Sequence, residues 1–157
     1  MQDKTNVMRI LDSKKIWYKS YCYKDTSAIS GMEVVEVLNE DPNKVFKTLV
    51  TRAGSGIYYV FVVPVNKELD LKKAAKSVKE KNVEMIKQKE LLPLTGYIHG
   101  GCSPIGMKKN FKTIINISAK EYDNIFVSAG KVGYQIEVGV KDLADVVRAE
   151  FCDIVKY

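Results

Sequence analysis

Hydrophobic positions change their period several times along the chain, and each change predicts an element. Val7, Ile10 and Leu11 recur at helical spacing behind Thr5, a candidate cap, and the pattern ends near Lys15. Residues 16–23 then read as a strand. Ser30-Gly31-Met32-Glu33 has the spacing of a capping box, with Val34, Val35 and Leu38 on one face of the helix it starts. Asn39-Glu40-Asp41-Pro42 ends that helix, because proline disfavours helical geometry in the residue before it. Two β-branched and aromatic runs, 45–53 and 57–63, flank Gly54-Ser55-Gly56 and predict a hairpin. Asp70 can cap a helix whose inner stripe is Leu71, Ala74, Ala75 and Val78. A short strand over 83–86 leads to a helical turn reaching Leu92, which Pro93 and Gly96 are expected to break. After the loop 100–106, strands are expected at 113–117, 125–128 and 134–138. An amphipathic helix through Leu143, Val146 and Val147 follows, then an edge strand at Ile154-Val155. The order predicts one α/β domain over residues 1–157, with a curved, mixed, largely antiparallel sheet flanked by helices.

Composition narrows what such a domain can do. At 157 residues and 46% hydrophobic, the chain can build one substantial core. Its longest apolar run, residues 57–65, is about half of what a membrane helix needs. Lys4, Arg9, Asp12, Lys14 and Lys15 interrupt any signal-like apolar segment, so a cytoplasmic location without membrane contact is expected. Three widely spaced cysteines (Cys22, Cys102, Cys152) and a single histidine (His99) give neither a disulfide framework nor a metal-ligand set, so no metal or cofactor is expected. The formal charge of +6 comes almost wholly from lysine, since Arg9, Arg52 and Arg148 are the only arginines. Residues 1–24 carry six basic and two acidic side chains, whereas 137–157 carry three and five. That asymmetry suits an anionic partner on one side, and solvated lysine-rich helix faces account for it equally well.

Four local features carry candidate chemistry. The loop from Gly96 through Gly100-Gly101-Cys102-Ser103-Pro104-Ile105-Gly106 exposes backbone N–H groups and is stiffened by proline, so it can present donors to a developing oxyanion, or serve simply as a turn. Lys47 interrupts the apolar run Val45-Phe46-Lys47-Thr48-Leu49-Val50; it points either to solvent or into a site that uses its charge. In Ser128-Ala129-Gly130-Lys131 a strand runs into a turn bearing a hydroxyl and a cation. The Cys102/His99 pair invites a nucleophile-base assignment, but nothing in the sequence supplies a third, orienting group.

In this order, the first three features, with Glu68-Leu69-Asp70-Leu71-Lys72-Lys73-Ala74-Ala75-Lys76 between them, resemble the YbaK/EbsC family of free-standing aminoacyl-tRNA deacylases. That family is related to the editing insertion of bacterial prolyl-tRNA synthetase, and the resemblance spans nearly the whole chain. It implies that Lys47 sits in the substrate pocket and holds the aminoacyl-adenosine end of a tRNA. It implies that the amides of Gly100 and Gly101 face the ester carbonyl, with Tyr21 and Thr48 beside them and Ser128 and Gly130 on the opposite wall. Ser103 and Lys131, on the two matching loops, are further candidates for substrate contact. Two positions depart from the pattern: Gln135 stands where many members carry an aspartate, and Ser30 replaces a common aromatic at the pocket rim. The implied activity is clearance of mischarged tRNA, foremost Cys-tRNA(Pro) and with it Cys-tRNA(Cys), with prolyl-tRNA synthetase as a possible partner. Hydrolysis of Ala-tRNA(Pro), or tRNA binding without catalysis, are the alternatives.

Overall fold

The computed structural model describes residues 4–157. Helix α1 (Asn6–Ser13) starts at Thr5, whose hydroxyl accepts from the Met8 N–H, and buries Val7, Met8 and Leu11. After strand β1 (Tyr18–Cys22), helix α2 (Gly31–Leu38) begins with the expected capping box: Glu33 N–H donates to the Ser30 hydroxyl, and Ser30 N–H returns to the Glu33 carboxylate. Strands β2 (Phe46–Ala53) and β3 (Tyr58–Pro64) form the hairpin around Gly54-Ser55-Gly56. Asp70 caps α3 (Leu71–Ser77), which is followed by β4 (Val83–Met85) and α4 (Gln88–Thr95). The chain closes through β5 (Lys112–Asn116), a 3-10 turn over Ile117–Glu121, β6 (Asn124–Ser128), β7 (Tyr134–Gly139), α5 (Val140–Val147) and β8 (Glu150–Cys152).

The β-structure is mixed and largely antiparallel, as expected, but divided between two sheets. One has the order β4-β2-β3-β5-β8, with β3-β5 and β5-β8 parallel; the other is β1-β7-β6, wholly antiparallel. They are joined where Val45 bridges Phe126 and the Phe126 N–H donates to the Lys44 carbonyl at 2.9 Å. Strand β3 explains the layering. Val60 and Val62 point into the core shared with α1, β6, β7 and α5, while Phe61 and Val63 point into a second core under α3. A strand covered on both faces reads as a continuous apolar run, which is what residues 57–65 are.

Two expectations need correction. Helix α4 runs through Pro93 to Thr95: the Thr95 hydroxyl donates to the Leu91 carbonyl and the Gly96 N–H to that of Leu92, closing the last turn despite the missing proline N–H. The closing strand is 150–152, paired with β5, whereas Val155 makes only a single bridge to Leu69. Alternation cannot separate the two segments, because Phe151 and Ile154 are both packed against neighbours. Among the described residues, no helix is long and apolar enough to cross a membrane.

Candidate active site

Strand β4 is short. It pairs only with Thr51–Ala53, so the first half of β2 has a strand partner on one edge alone. A cavity of about 430 Å3 opens beside that half, within the range of small-ligand sites. Its walls include Phe46–Leu49 of β2 with Val45 before it, the start of α2, the loop at His99, Gly100 and Cys102, and Ser128 of β6 and Gln135 of β7. The site is therefore assembled across the seam between the two sheets, from segments distant in sequence.

Lys47 lies in this wall, half-buried. Burial pushes its ammonium pKa below the ordinary lysine value, and the carboxylate of Glu68 only partly opposes that. Among the described residues Lys47 makes no hydrogen bond or salt bridge, so its charge is desolvated and uncommitted. Among the described residues, no Asp or Glu lines the cavity. Two further wall atoms lack partners: Thr48 Oγ1 and Gln135 Oε1 are both excluded from solvent and unbonded. Buried polar atoms are seldom left so, and two of them on wall residues beside an uncommitted ammonium make this wall a candidate for a polar ligand.

The glycine loop is rigid. Gly100 has φ +88°, and a Cβ on Gly101 would lie 2.9 Å from the backbone nitrogen of Val132, so the loop packs directly on the turn after β6. The two glycines differ as donors. Gly101 N–H is already given to the Ile98 carbonyl at 3.0 Å, whereas the amides of Gly100 and Cys102, both wall residues, have no acceptor among the described residues. Of the other candidates, Ser30 and Ser128 border the cavity with hydroxyls that already accept backbone N–H groups, from Glu33 and Gly130.

Five candidates lie outside the wall, and Gly101 is the first of them, against the expectation that its amide faces the ester. Tyr21 packs edge-on against Phe126, its hydroxyl donating to Glu137 at 3.1 Å, and Ser103 is fully buried, accepting from the Ile105 N–H. Gly130 forms the turn behind Ser128, and exposed Lys131 lies over the Tyr134 ring. His99 and Cys102 do line the cavity, but burial pushes the Cys102 thiol up to about 12, which keeps it protonated and unfit as a nucleophile.

Sequence reasoning missed Glu40. Both carboxyl oxygens are shut off from solvent without a hydrogen bond, next to the Gln135 amide, which approaches without reaching hydrogen-bond geometry. Burial, reinforced by the charge of Glu137, raises Glu40 from 4.5 to about 7. The folded protein thus keeps a proton that the unfolded chain loses, so stability falls as pH rises from about 4.5 to about 7. In Glu40→Gln this loss disappears and a side-chain amide can donate to Gln135. The variant is expected to be more stable than the wild type above pH 7 by about 1–3 kcal/mol, the cost of leaving an ionised group buried and unsatisfied, and to hold no such advantage at pH 4, as read by urea unfolding.

Sequence comparison gives this architecture its class: the aminoacyl-tRNA editing domain family matches residues 26–146, and the chain belongs to that family. Among individual relatives, the Enterococcus faecalis (strain ATCC 700802 / V583) protein named "Putative Cys-tRNA(Pro)/Cys-tRNA(Cys) deacylase EbsC" is 44% identical over 154 residues, covering 98% of this chain and 94% of the relative. Solved structures share the fold. "Crystal structure of a putative trans-editing enzyme for prolyl tRNA synthetase" superposes with TM-score 0.84 at 20% identity, over 99% of this chain and 100% of the other. Hypothetical protein APE2540 superposes with TM-score 0.88 at 18% identity, over 97% of this chain and 100% of the other.

Proposed function

We propose that the protein deacylates Cys-tRNA(Pro) and Cys-tRNA(Cys), with the substrate's own thiol as nucleophile. The observation that supports this best is the cavity wall itself: a desolvated ammonium, uncommitted amides and hydroxyl, no carboxylate, and a cysteine held protonated. Such a wall can position and stabilise an ester in its transition state, and the imidazole it offers as a base to activate water is His99, exposed on the loop. A cysteinyl ester needs no such base. Its sulfur attacks the carbonyl carbon, the bond from that carbon to the terminal ribose oxygen breaks, and the thiol proton passes to that oxygen. A cyclic thiolactone and free tRNA leave. Lys47 balances the negative charge of the intermediate, with the Gly100 amide on the opposite side, and Thr48 and Gln135 hold the ribose or the amino acid. Prolyl-tRNA synthetase as the source of the tRNA belongs to the same proposal.

Deacylation of a panel of charged tRNAs tests it. Cys-tRNA(Pro) and Cys-tRNA(Cys) are expected to be cleaved and Pro-tRNA(Pro) spared. Faster cleavage of Ala-tRNA(Pro) than of the cysteinyl esters, or binding without turnover of any, would overturn it.

A further inference from the structure

A second cavity, of about 440 Å3, lies where the end of α1, the loop 104–111, the start of β5 and the end of α5 meet. Its floor is apolar, with Ile105, Phe111 and Val147 among its residues, and its rim carries Lys14, Lys109, Lys112 and Arg148. Among the described residues, no carboxylate lines it. Lys112 has a loose pair with Glu150 at 3.7 Å, both side chains exposed, whereas Lys14, Lys109 and Arg148 make no ion pair among the described residues. Lys14 and Arg148 are the C-caps of α1 and α5, where cations complement the helix dipole. That role does not extend to Lys109 or Lys112, which lie on no helix. Four cations meeting over an apolar floor form an anion site with room for a sugar or base beside it.

The two cavities share one strap of chain. Cys102 lines the first and Pro104 the second, and two residues span at most about 7 Å. Buried Ser103 sits between them, and the Tyr97 hydroxyl donates to the Ile105 carbonyl, so the strap is fixed from both sides. A strand whose terminal ester occupies the first cavity is thereby within reach of the second.

We infer that the second cavity binds the phosphate-sugar backbone of the substrate RNA, with Lys14, Lys109, Lys112 and Arg148 as its phosphate contacts. This rests on the tRNA reading above, and its test is separable from that reading because it uses uncharged RNA. Binding of uncharged tRNA is measured against salt concentration for the wild type, for Lys109→Ala/Arg148→Ala, and for Lys76→Ala on α3 as a control. The double variant is expected to bind about tenfold more weakly, and its log-log salt slope to fall by about 1.5, the loss of two phosphate contacts. The control is expected to match the wild type. Cleavage of a short cysteinyl-adenosine ester, which cannot reach the second cavity, is expected to be unchanged in the double variant. Unaltered RNA affinity and slope would overturn the inference, as would an equal loss on the short ester. Competition by inorganic phosphate at the rim, with the RNA slope unchanged, would assign the cavity to a free anion instead and overturn it too.

Discussion

Lys47→Ala is expected to lower kcat/KM for Cys-tRNA(Pro) deacylation by about 10²–10³-fold, the loss typical when one preorganised group that stabilises an oxyanion is removed. The same substitution should leave the fold intact. Lys47 stands in β2 opposite Val63, half-buried, with no hydrogen bond or salt bridge among the described residues, and its desolvation costs free energy that the charge of Glu68 offsets only in part. Removing it therefore relieves a cost, and urea unfolding should show a variant at least as stable as the wild type. A lysine kept for stability would give the opposite pair of results, stability lost with kcat/KM nearly unchanged. Lys47→Arg is not expected to restore the rate, because a planar, delocalised guanidinium does not reproduce the compact point charge of an ammonium.

Much of the fold was legible because its determinants are local. Thr5, Ser30 and Asp70 each do at a helix start what their side-chain oxygens can do with the next few backbone N–H groups, and the hairpin follows from three small residues between two apolar runs. The two misread segments differ. Past Pro93 the turn is finished locally, by the Thr95 hydroxyl and the Gly96 N–H, and the general rule for proline outweighed them, whereas Phe151 is placed by a distant partner, β5, which recruits it as a parallel neighbour. The join between the two sheets, the bridge from Val45 to Phe126, likewise links residues 81 positions apart.

The site divides in the same way. Lys47 stood out because a lysine breaks an apolar run, and the glycine loop because its composition is unusual. Whether Gly101 keeps a free amide is decided by the Ile98 carbonyl three residues away, and the sequence pattern cannot show that. Glu40 gave no signal at all: between Asn39 and Asp41 it reads as one more solvated acid after a helix. Only the fold, which brings it beside Gln135 of β7, shuts its oxygens away.

The largest discrimination is expected between acyl groups rather than between protein variants. With the nucleophile on the substrate, Cys-tRNA(Pro) should react on the order of 10²-fold or more faster than Ser-tRNA(Pro), since a thiol is far more readily ionised and more nucleophilic than a hydroxyl at neutral pH. The two side chains differ little in size, so a cavity of about 430 Å3 admits both, and a steric explanation of the difference is weak. S-methylated cysteinyl-tRNA sharpens the comparison. It keeps the sulfur and adds one methyl group, yet has no proton to lose, and its cleavage is expected to fall to the uncatalysed rate. The rate with Cys-tRNA(Pro) should also climb about tenfold per pH unit below the substrate thiol's pKa of ~8.5 and level off above it. Because Cys102 is held protonated up to about 12, that rise cannot come from the protein's own thiol, and Cys102→Ala should preserve it. If Ser-tRNA(Pro) or the S-methylated ester is cleaved as fast as Cys-tRNA(Pro), the attacking group is water. The base would then be sought in His99, the imidazole of the cavity lining, and in the buried Glu40 behind Gln135, and His99→Ala and Glu40→Gln would tell them apart.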